Sequence, residues 1–414
     1  MSMLVLGLLA ACGGGGGGAA AGGGTAETAL NADTSTSPVT VVKAPTESTE
    51  VKPVGTTSGG KQPGVKHPGG TTPEVKQPEI KPPVVTTPVV TPPVVTPPVV
   101  VQPEDPAPAT LQPTVNAARI PSGNAGVSTE NMQTTNERPS ASDGTGNFRT
   151  SCDYSHMAFD DPIVYPGQPG RSHLHAFFGN TAVNGNSTAA SIANTGNSTC
   201  RGGVINRSSY WVPAMIDTRD GTPLKPSSSQ FYYKTGYRGV VPSTVRAMPA
   251  GLRMIAGDAK NFSADGPFAY SCHGTNGASV PDQQGPSIPN CPVGSEVWQH
   301  IYFPQCWDGV NLDSPDHKSH MSYPITGRGC PASHPVPLPE ITFNIIYPVT
   351  EANSTRRWRL SSDNYSSSIP GGYSAHGDWF NGWRPDIMET FVANCDRTAL
   401  DCHSHLLGDG RAIY

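Results

Sequence analysis

Histidines and carboxylates recur in short, closely spaced groups beyond residue 170 of the chain. His173 and His175 are two residues apart, and on a strand residues at this spacing point to the same side. Two imidazoles on one side suit a pair of metal ligands or an acid–base pair. A pair of histidines destabilises the fold if both become charged, so the spacing favours a chemical use. The alternative is two histidines that are hydrogen-bonded to nearby backbone.

The densest polar group is the segment from Asp316 to His320, which reads Asp-His-Lys-Ser-His. Pro315 favours a helical turn here, and such a turn would place His317 and His320 on one side. A carboxylate, two imidazoles and the Lys318 ammonium can transfer protons near neutral pH. They can equally supply nitrogen and oxygen ligands to a metal ion. A solvated, salt-bridged turn is the alternative.

His376 and Asp378 form a third group, which is followed by Trp379 and Trp383. The imidazole and the carboxylate suit an orienting pair, and the indole faces suit a platform for a sugar. The alternative is a surface histidine beside two tryptophans that pack structurally. We predict that the groups meet in one pocket, with catalytic residues His173, His175, Asp316, His317, His320, His376 and Asp378. Its predicted substrate-binding residues are Trp307, Asp308, Lys318, Tyr323, Trp379 and Trp383.

The segments that must position these groups have sequence patterns typical of strands. Residues 341–347 alternate β-branched and aromatic residues, a pattern typical of a strand. Only residues 386–395 have helical periodicity, with an acidic residue at the start that can cap the helix. Short apolar runs between Pro, Gly, Asn and Ser clusters make up the rest. We predict a mainly β, loop-rich, sandwich-like single domain, stapled by disulfides, over residues 148–414.

The 147 residues before this domain have a composition that does not support a core. The 414-residue chain contains 46 Gly and 43 Pro, and no aromatic residue precedes Phe148. Such a segment cannot bury enough apolar area to offset the entropy of ordering it. We predict a disordered Gly-rich leash and a polyproline-like stalk over residues 13–147. Residues 82–101, a near-repeat of Pro, Val and Thr, would extend about 60 Å as polyproline II.

The N-terminus resembles a bacterial lipoprotein signal over residues 1–12. Residues 9–12 read Leu-Ala-Ala-Cys, the lipobox pattern in which the signal is cut before a cysteine that is then lipidated. No Lys or Arg precedes the apolar run, so we expect the true start codon to lie further upstream. We therefore predict an exported protein with Cys12 lipid-anchored to the outer surface of a bacterial membrane.

The other eight cysteines all lie beyond residue 148. An even number in an exported chain predicts four disulfides, and the lack of a C-x-x-C pair disfavours a zinc site made of cysteines. Short loops favour the pairs Cys395–Cys402, Cys272–Cys291, Cys306–Cys330 and Cys152–Cys200.

Several blocks of the chain resemble the DUF1996 family. They are DPIVYPGQPG at 161–170, SHLHAFFGN at 172–180, SYWVP at 209–213, FPQCWDG at 303–309, NLDSPDHKSH at 311–320, CPASHP at 330–335 and HGDWFNGW at 376–383. The family comprises secreted bacterial and fungal proteins, some with appended carbohydrate-binding or wall-associated modules. The resemblance implies the same domain boundary and a secreted setting, and it carries no activity with it.

Several classes of function are disfavoured by what the chain lacks. The net charge is −5 and there is no basic stripe, so nucleic-acid binding is not expected. No apolar run reaches 18 residues, the length of a membrane-spanning helix. The absence of G-x-S-x-G, H-E-x-x-H, P-loop and dinucleotide-binding motifs disfavours serine hydrolases, zincins, NTPases and enzymes with a nucleotide cofactor.

Three functions stay open. The first is a surface lipoprotein that binds or degrades extracellular polysaccharide, as a glycoside hydrolase with two of Asp308, Asp316 and Asp378 or as a polysaccharide lyase. The second is a non-catalytic, wall-associated structural module. The third is a metal-binding lipoprotein that uses His173, His175, His317 and His320. We expect no cofactor, with a divalent metal ion as the open alternative.

The lipid anchor can be tested directly. Cells fed a fatty-acid probe should label the chain, because lipidation would attach acyl groups at Cys12. A Cys12→Ser variant, expressed with the native start restored, should lose the label and leave the membrane fraction. A variant that still fractionates with membranes would contradict the anchor.

Overall fold

The computed structural model describes residues 115–275, 280 and 284–414. The signal, the lipobox cysteine and residues 13–114 of the leash and stalk lie outside the described residues. The described part is mainly β, as the sequence predicted, and it contains no helix that is long and apolar enough to cross a membrane.

The elements alternate short strands with long loops. In chain order the strands are β1 (Met132–Thr134), β2 (Ser140–Ala141), β3 (Gly146–Ser151), β4 (Tyr154–Ala158), β5 (His175–Gly179), β6 (Ser209–Pro213), β7 (Met215–Asp217), β8 (Thr222–Pro223), β9 (Ser228–Thr235), β10 (Arg253–Gly257), β11 (Phe268–Gly274), β12 (Ser295–Tyr302), β13 (Cys306–Trp307), β14 (Met321–Ser322), β15 (Val336–Pro337), β16 (Glu340–Pro348), β17 (Trp358–Leu360), β18 (His376–Phe380), β19 (Leu400–Asp401) and β20 (Arg411–Ile413). The helices are α1 (Ala189–Asn194) and α2 (Pro385–Phe391), with a π turn over Val392–Asp396 and 3-10 turns over Ala117–Arg119, Pro242–Thr244 and Ser354–Arg357.

Two sheets carry most of the structure. The larger has seven strands in the order β11-β12-β16-β9-β3-β19-β2, and the smaller has five in the order β10-β18-β6-β5-β4. All neighbours are antiparallel except β19 and β3. The predicted strand at 341–347 lies within β16, in the interior of the larger sheet.

The sheets pack face to face through aromatic side chains. The ring of Tyr210 in β6 stacks on Phe231 of β9, with the centroids 3.9 Å apart. Phe343 of β16 meets Phe231 edge-on at 4.7 Å. At Gly377 in β18 an added Cβ would lie 3.1 Å from the Phe343 ring, so a larger residue would crowd this close approach of the sheets. The fold is therefore a sandwich, as predicted.

The outer face of the five-stranded sheet is also buried. Phe177 of β5, Trp211 of β6 and Phe380 of β18 form a second apolar cluster there with Ile163 from the loop after β4 and Ile192 from α1. Since side chains alternate along a strand, the residues two positions away share this face. This places His175, His376 and Asp378 on the outer face, beneath the loops that cover it.

The folded part begins earlier than residue 148, where the sequence placed the boundary. β1 pairs with β20 through Met132 and Ile413, and β2 pairs with β19 through Ala141 and Leu400. The lack of aromatic residues before Phe148 means that this segment contributes few large side chains to the core. It does not prevent a segment from adding strands at a sheet edge through its backbone. The prediction that residues 13–147 are disordered was therefore wrong for residues 115–147.

The helix predicted at 386–395 is present in a different form. Pro385 occupies the first turn of α2, and Asp386 lies within that turn instead of capping it. The helix then widens into the π turn and ends at Asp396. Ile387, Phe391 and Val392 are all buried, so the predicted apolar side was correct.

Four disulfides join the loops to the sheets. They pair Cys152 with Cys200, Cys272 with Cys291, Cys306 with Cys330 and Cys395 with Cys402. These are the pairs that loop length favoured. The Cys306–Cys330 bridge encloses the loop that contains residues 316–320, so it restrains that loop beside the sheet.

Candidate metal centre

Three histidines meet on the outer face of the five-stranded sheet. His175 opens β5 and His376 opens β18, and these strands flank β6 on either side. His175 pairs with Pro213 of β6, and Asp378 pairs with Trp211 two residues away, so the two histidines lie at the same level. The loop before β5 adds His173. The Nε2 atom of His376 is 3.2 Å from that of His173 and 3.4 Å from that of His175.

Backbone carbonyls fix the orientation of the two strand histidines. Nδ1 of His175 donates to the carbonyl oxygen of Asp160 at 2.9 Å, and Nδ1 of His376 donates to that of Ser374 at 2.8 Å. Because a carbonyl can only accept, the ring proton lies on Nδ1 in both residues. Each neutral ring therefore turns an Nε2 lone pair toward the other. This is how metal-ligating histidines are commonly held.

Two of the three separations between these nitrogens fit a metal ion, and all three nitrogens lie within 4.8 Å of one another. Two ligand atoms at 2.0–2.1 Å from a tetrahedral zinc ion are about 3.3 Å apart. The distances from the His376 Nε2 to the other two Nε2 atoms, 3.2 and 3.4 Å, lie on either side of that value. Three imidazoles with a fourth position left open are the usual ligand set of a catalytic zinc site.

A glycine makes room for this arrangement. Gly257 of β10 lies opposite His376 in the sheet and has a φ of 83°. A Cβ at this position would be 2.3 Å from the Ala375 carbonyl oxygen and 3.1 Å from the His376 Cβ. Any other residue would push β18 and its histidine away from the site.

Two buried carboxylates lie beside the histidines. Ligand atoms of Asp161, His175 and Asp378 all lie within 4.8 Å of one another. Asp161 accepts the backbone N–H groups of Ile163 and Val164, whereas neither oxygen of Asp378 has a hydrogen-bond partner among the described residues. A buried carboxylate without a partner is costly, and a neighbouring cation would offset that cost.

Burial controls the protonation of these groups. It lowers the pKa of His175 to about 3 and of His376 to about 4, and it lowers the pKa of His173 well below its ordinary value. The imidazoles are therefore neutral at neutral pH, which is the form that binds metal ions. Burial, with the nearby Asp161 charge, raises the pKa of Asp378 well above its ordinary value. Burial also raises the pKa of Asp161.

The site opens into a cavity of about 280 Å³. His173, His376 and Asp378 line its wall, and His175 lies behind them, completely buried. A groove of about 460 Å³ adjoins the cavity and shares the lining residues Ile255, Gly257, Asp258, Lys260 and Lys318. An ion held by the histidines would therefore face an open space.

A family model described as "Domain of unknown function (DUF1996)" matches residues 161–383. The chain belongs to the DUF1996 family. The match begins at Asp161 and includes His173, His175, His376 and Asp378, so the whole cluster lies within the DUF1996 domain. No curated protein and no solved structure matches the chain.

The DUF1996 domain brings only part of the 316–320 segment into the cavity. His317 lines the cavity, with Nδ1 2.9 Å from Oδ1 of Asp313 and a left-handed φ of 58°. His320 is buried outside it, where Nδ1 meets the Ser314 hydroxyl and Nε2 the Arg253 carbonyl. His320 thus ties the loop to β10. The predicted metal set was therefore wrong for His317 and His320, and His376 supplies the third imidazole of the cluster.

Asp316 also lines the cavity, but its carboxylate is hydrogen-bonded within its own loop. Its Oδ1 accepts the N–H groups of Lys318 and Ser319 and the hydroxyls of Ser314 and Ser319. These bonds hold its pKa below the ordinary value. Lys318 points its Nζ at the Gly257 carbonyl oxygen, 2.9 Å away, on the wall of the cavity.

The aromatic residues predicted to bind substrate are distributed differently. Trp379 and Trp383 are buried in the core of the DUF1996 domain, and the Trp383 indole donates to the Tyr233 hydroxyl. They offer no face to a sugar, which agrees with the packing alternative. Trp307 donates to the Asn311 carbonyl, 2.7 Å away.

Asp308 and Tyr323 complete the predicted substrate-binding set. Asp308 accepts the N–H groups of Val310 and Asn311 and so closes a turn. Tyr323 donates to the Tyr302 carbonyl and lies in the adjoining groove, not in the cavity. Six of the predicted residues thus line the cavity, with His175 behind them: His173, Asp316, His317, Lys318, His376 and Asp378.

Sequence reasoning missed Asp161. It stands 12 residues before the first histidine and more than 200 before His376, so no local spacing connects it to the site. Its position at the start of the DPIVYPGQPG block was the only signal available, and that block was used only for the family resemblance.

The neutral histidines make the stability of the metal-free protein depend on pH. The folded pKa values of His175 and His376 lie below the ordinary 6.5, so below about pH 6.5 the unfolded chain binds more protons. Each histidine should then reduce the free energy of unfolding by up to about 1.4 kcal/mol per pH unit as the pH falls toward 4.

Urea denaturation between pH 7.5 and 4.5, with a chelator present, measures this slope. A His376→Gln variant should have a shallower slope than the wild type, because it removes one of the buried titrating groups. A His334→Gln variant, whose histidine is outside the cavity, is the matched control. Equal slopes for the wild type and His376→Gln would contradict the buried neutral histidine.

Proposed function

We propose that the DUF1996 domain binds a divalent transition-metal ion through His173, His175 and His376 and uses it to cleave an extracellular polysaccharide. The observation that carries the proposal is the convergence of three Nε2 atoms, two of them with lone pairs directed by carbonyl-bound Nδ1 atoms. No hydrogen-bonding pattern of neutral imidazoles satisfies all three nitrogens at once, whereas one cation does.

Zinc is the first ion to consider. Imidazole nitrogen suits zinc, copper, iron and nickel, and the separations from the His376 Nε2 to the other two Nε2 atoms match a tetrahedral zinc site. Asp378 adjoins this set through His175, and among the described residues its carboxylate has no hydrogen-bond partner, so it would offset the charge of a bound ion. When bound, such an ion acts as a Lewis acid and lowers the pKa of a coordinated water.

The chain supplies a proton-transfer group on the same cavity. Asp313 accepts from His317 Nδ1, which fixes the ring as an aspartate fixes a catalytic histidine. Arg253 holds the other oxygen of Asp313 at 2.7 Å, so the carboxylate cannot rotate away. His317 keeps its unusual left-handed backbone at this position, where strain is commonly retained for function.

A polymeric substrate is supported by the shape of the surface. The cavity and the adjoining groove share five lining residues, so together they form one extended depression. This favours a chain that passes over the metal centre. The buried tryptophans do not contribute to it.

We also propose that the domain works outside the cell on a lipid anchor. Four disulfides are typical of proteins that fold in an oxidising compartment. The fatty-acid labelling of Cys12 described above tests this part separately from the metal centre.

The metal proposal is tested on the full chain after removal of metal by a chelator. Titration with Zn²⁺ should give one bound ion per chain by elemental analysis and should raise the melting temperature as the site fills. His175→Asn and His376→Asn should each weaken binding at least tenfold, whereas the His334→Asn control should bind as the wild type does. Absence of a bound ion, or binding unchanged in both cavity variants, would contradict the proposal.

Cleavage is measured on the same preparations. A panel of polysaccharides is assayed for new reducing ends and for the absorbance of unsaturated uronates, with metal-loaded and metal-free protein. Activity should require the metal and should fall at least 100-fold in His317→Gln with the bound zinc unchanged. Metal binding without cleavage of any polymer would leave a binding module and contradict the enzymatic part.

A further inference from the structure

Three cationic side chains from separate segments line the candidate metal cavity. Arg171 comes from the loop before β5, Lys260 follows β10, and Lys318 comes from the loop between β13 and β14. All three are exposed. Among residues 115–275 and 284–414, no carboxylate lies within 4 Å of any of the three cationic groups. Their charges are therefore not neutralised by ion pairs within the domain.

The carboxylates of the same cavity are engaged elsewhere. Asp161 and Asp378 belong to the metal cluster, and the Oδ1 of Asp316 is saturated by its own loop. Asp258 accepts the backbone N–H of Lys260 at 2.9 Å. With a divalent ion bound, its two charges would offset Asp161 and Asp378, and the three side-chain cations against Asp258 and Asp316 would leave one net positive charge. The cavity is thus complementary to a ligand with one negative group.

Lys318 is fixed where such a group would bind. Its Nζ donates to the Gly257 carbonyl oxygen, which holds the ammonium on the wall next to β18. It lines the same cavity as His376 and Asp378, so it lies close to the metal centre. An anionic group bound between the ion and Lys318 would be attracted by both.

The two lysines also mark the passage from the cavity to the groove. Lys260 and Lys318 line both spaces, and the groove continues past Asn261 and Tyr323. A ligand that occupies both spaces must pass the two ammonium groups. A neutral glycan would gain nothing from them, whereas a polymer with a charge on successive units would be attracted at each.

We propose that the ligand of this site is an acidic polysaccharide, with one uronate carboxylate bound in the cavity near Arg171 and Lys318. The next sugar unit then lies at Lys260, toward the groove. This inference rests on the proposed metal centre, and it adds the chemical class of the polymer to it.

The test is binding of the zinc-loaded full chain to four polymers by affinity electrophoresis. Polygalacturonate and alginate carry uronates, dextran is neutral, and dextran sulfate is anionic without carboxylates. The two uronate polymers should bind at least tenfold more tightly than dextran and dextran sulfate. Binding should weaken as salt increases, since exposed charges are screened.

Variants test whether the uronate polymers bind in this cavity. Lys318→Met and Arg171→Gln should each weaken uronate binding at least fivefold with the zinc content unchanged. Lys225→Met is the matched control, because Lys225 is also exposed and its Nζ also donates to a backbone carbonyl, that of Ser122. It lies outside the cavity and should leave binding unaltered.

The outcomes separate this inference from the metal proposal. Equal binding of dextran, or of dextran sulfate, by zinc-loaded protein overturns the uronate assignment while the metal centre stands. A loss of binding in Lys225→Met as large as in Lys318→Met overturns the assignment to this cavity. Failure to bind zinc would contradict the metal centre itself. If that zinc-free protein still bound the uronate polymers, the proposed attraction of the carboxylate by the ion would also be wrong.

Discussion

The burial of ionisable side chains on the outer face of the five-stranded sheet is the constraint on which the rest of the site depends. His175 and Asp378 are completely or almost completely buried, and His376 is 4% exposed. Polar groups in such surroundings destabilise a fold unless each has a partner. The backbone provides partners for the Nδ1 atoms of His175 and His376 alone, so the Nε2 atoms face one another, with the Asp378 carboxylate beside His175. A bound cation would satisfy the Nε2 atoms together and would offset the Asp378 charge, and burial keeps the histidines in the neutral form that can bind it.

The sandwich makes this arrangement rigid. β5, β6 and β18 are interior strands of their sheet, and their other faces pack on the aromatic core through Tyr210 and its neighbours. Gly257 in β10 leaves room for the β18 backbone at His376, and Gly377 leaves room for the Phe343 ring of the facing sheet. Ligands on strands are held more precisely than ligands on loops. His317 and Lys318 lie instead on the loop between β13 and β14, which the Cys306–Cys330 bridge restrains.

Sequence reasoning reached the fold class and part of the site. The strand spacing of His173 and His175 identified two of the three histidines in the cluster, because a period of two is a local property. His376 joins them through the register of three strands that are distant in sequence, which no local pattern contains. For the same reason Asp161 was missed. His320 and Trp379 were assigned to the pocket because their residue types suit it, yet the same types also serve as buried hydrogen-bonding and packing groups. Only the burial and the contacts separate the two uses.

X-ray absorption at the zinc edge, on the zinc-loaded full chain, tests the central claim most directly. The account predicts a low coordination number with three imidazole nitrogens at about 2.0–2.1 Å and the remaining position filled by oxygen. In the His376→Asn variant the imidazole count should fall by one, and in His320→Asn it should stay at three. A shell made only of oxygen, or one that loses an imidazole in His320→Asn and not in His376→Asn, would contradict the account.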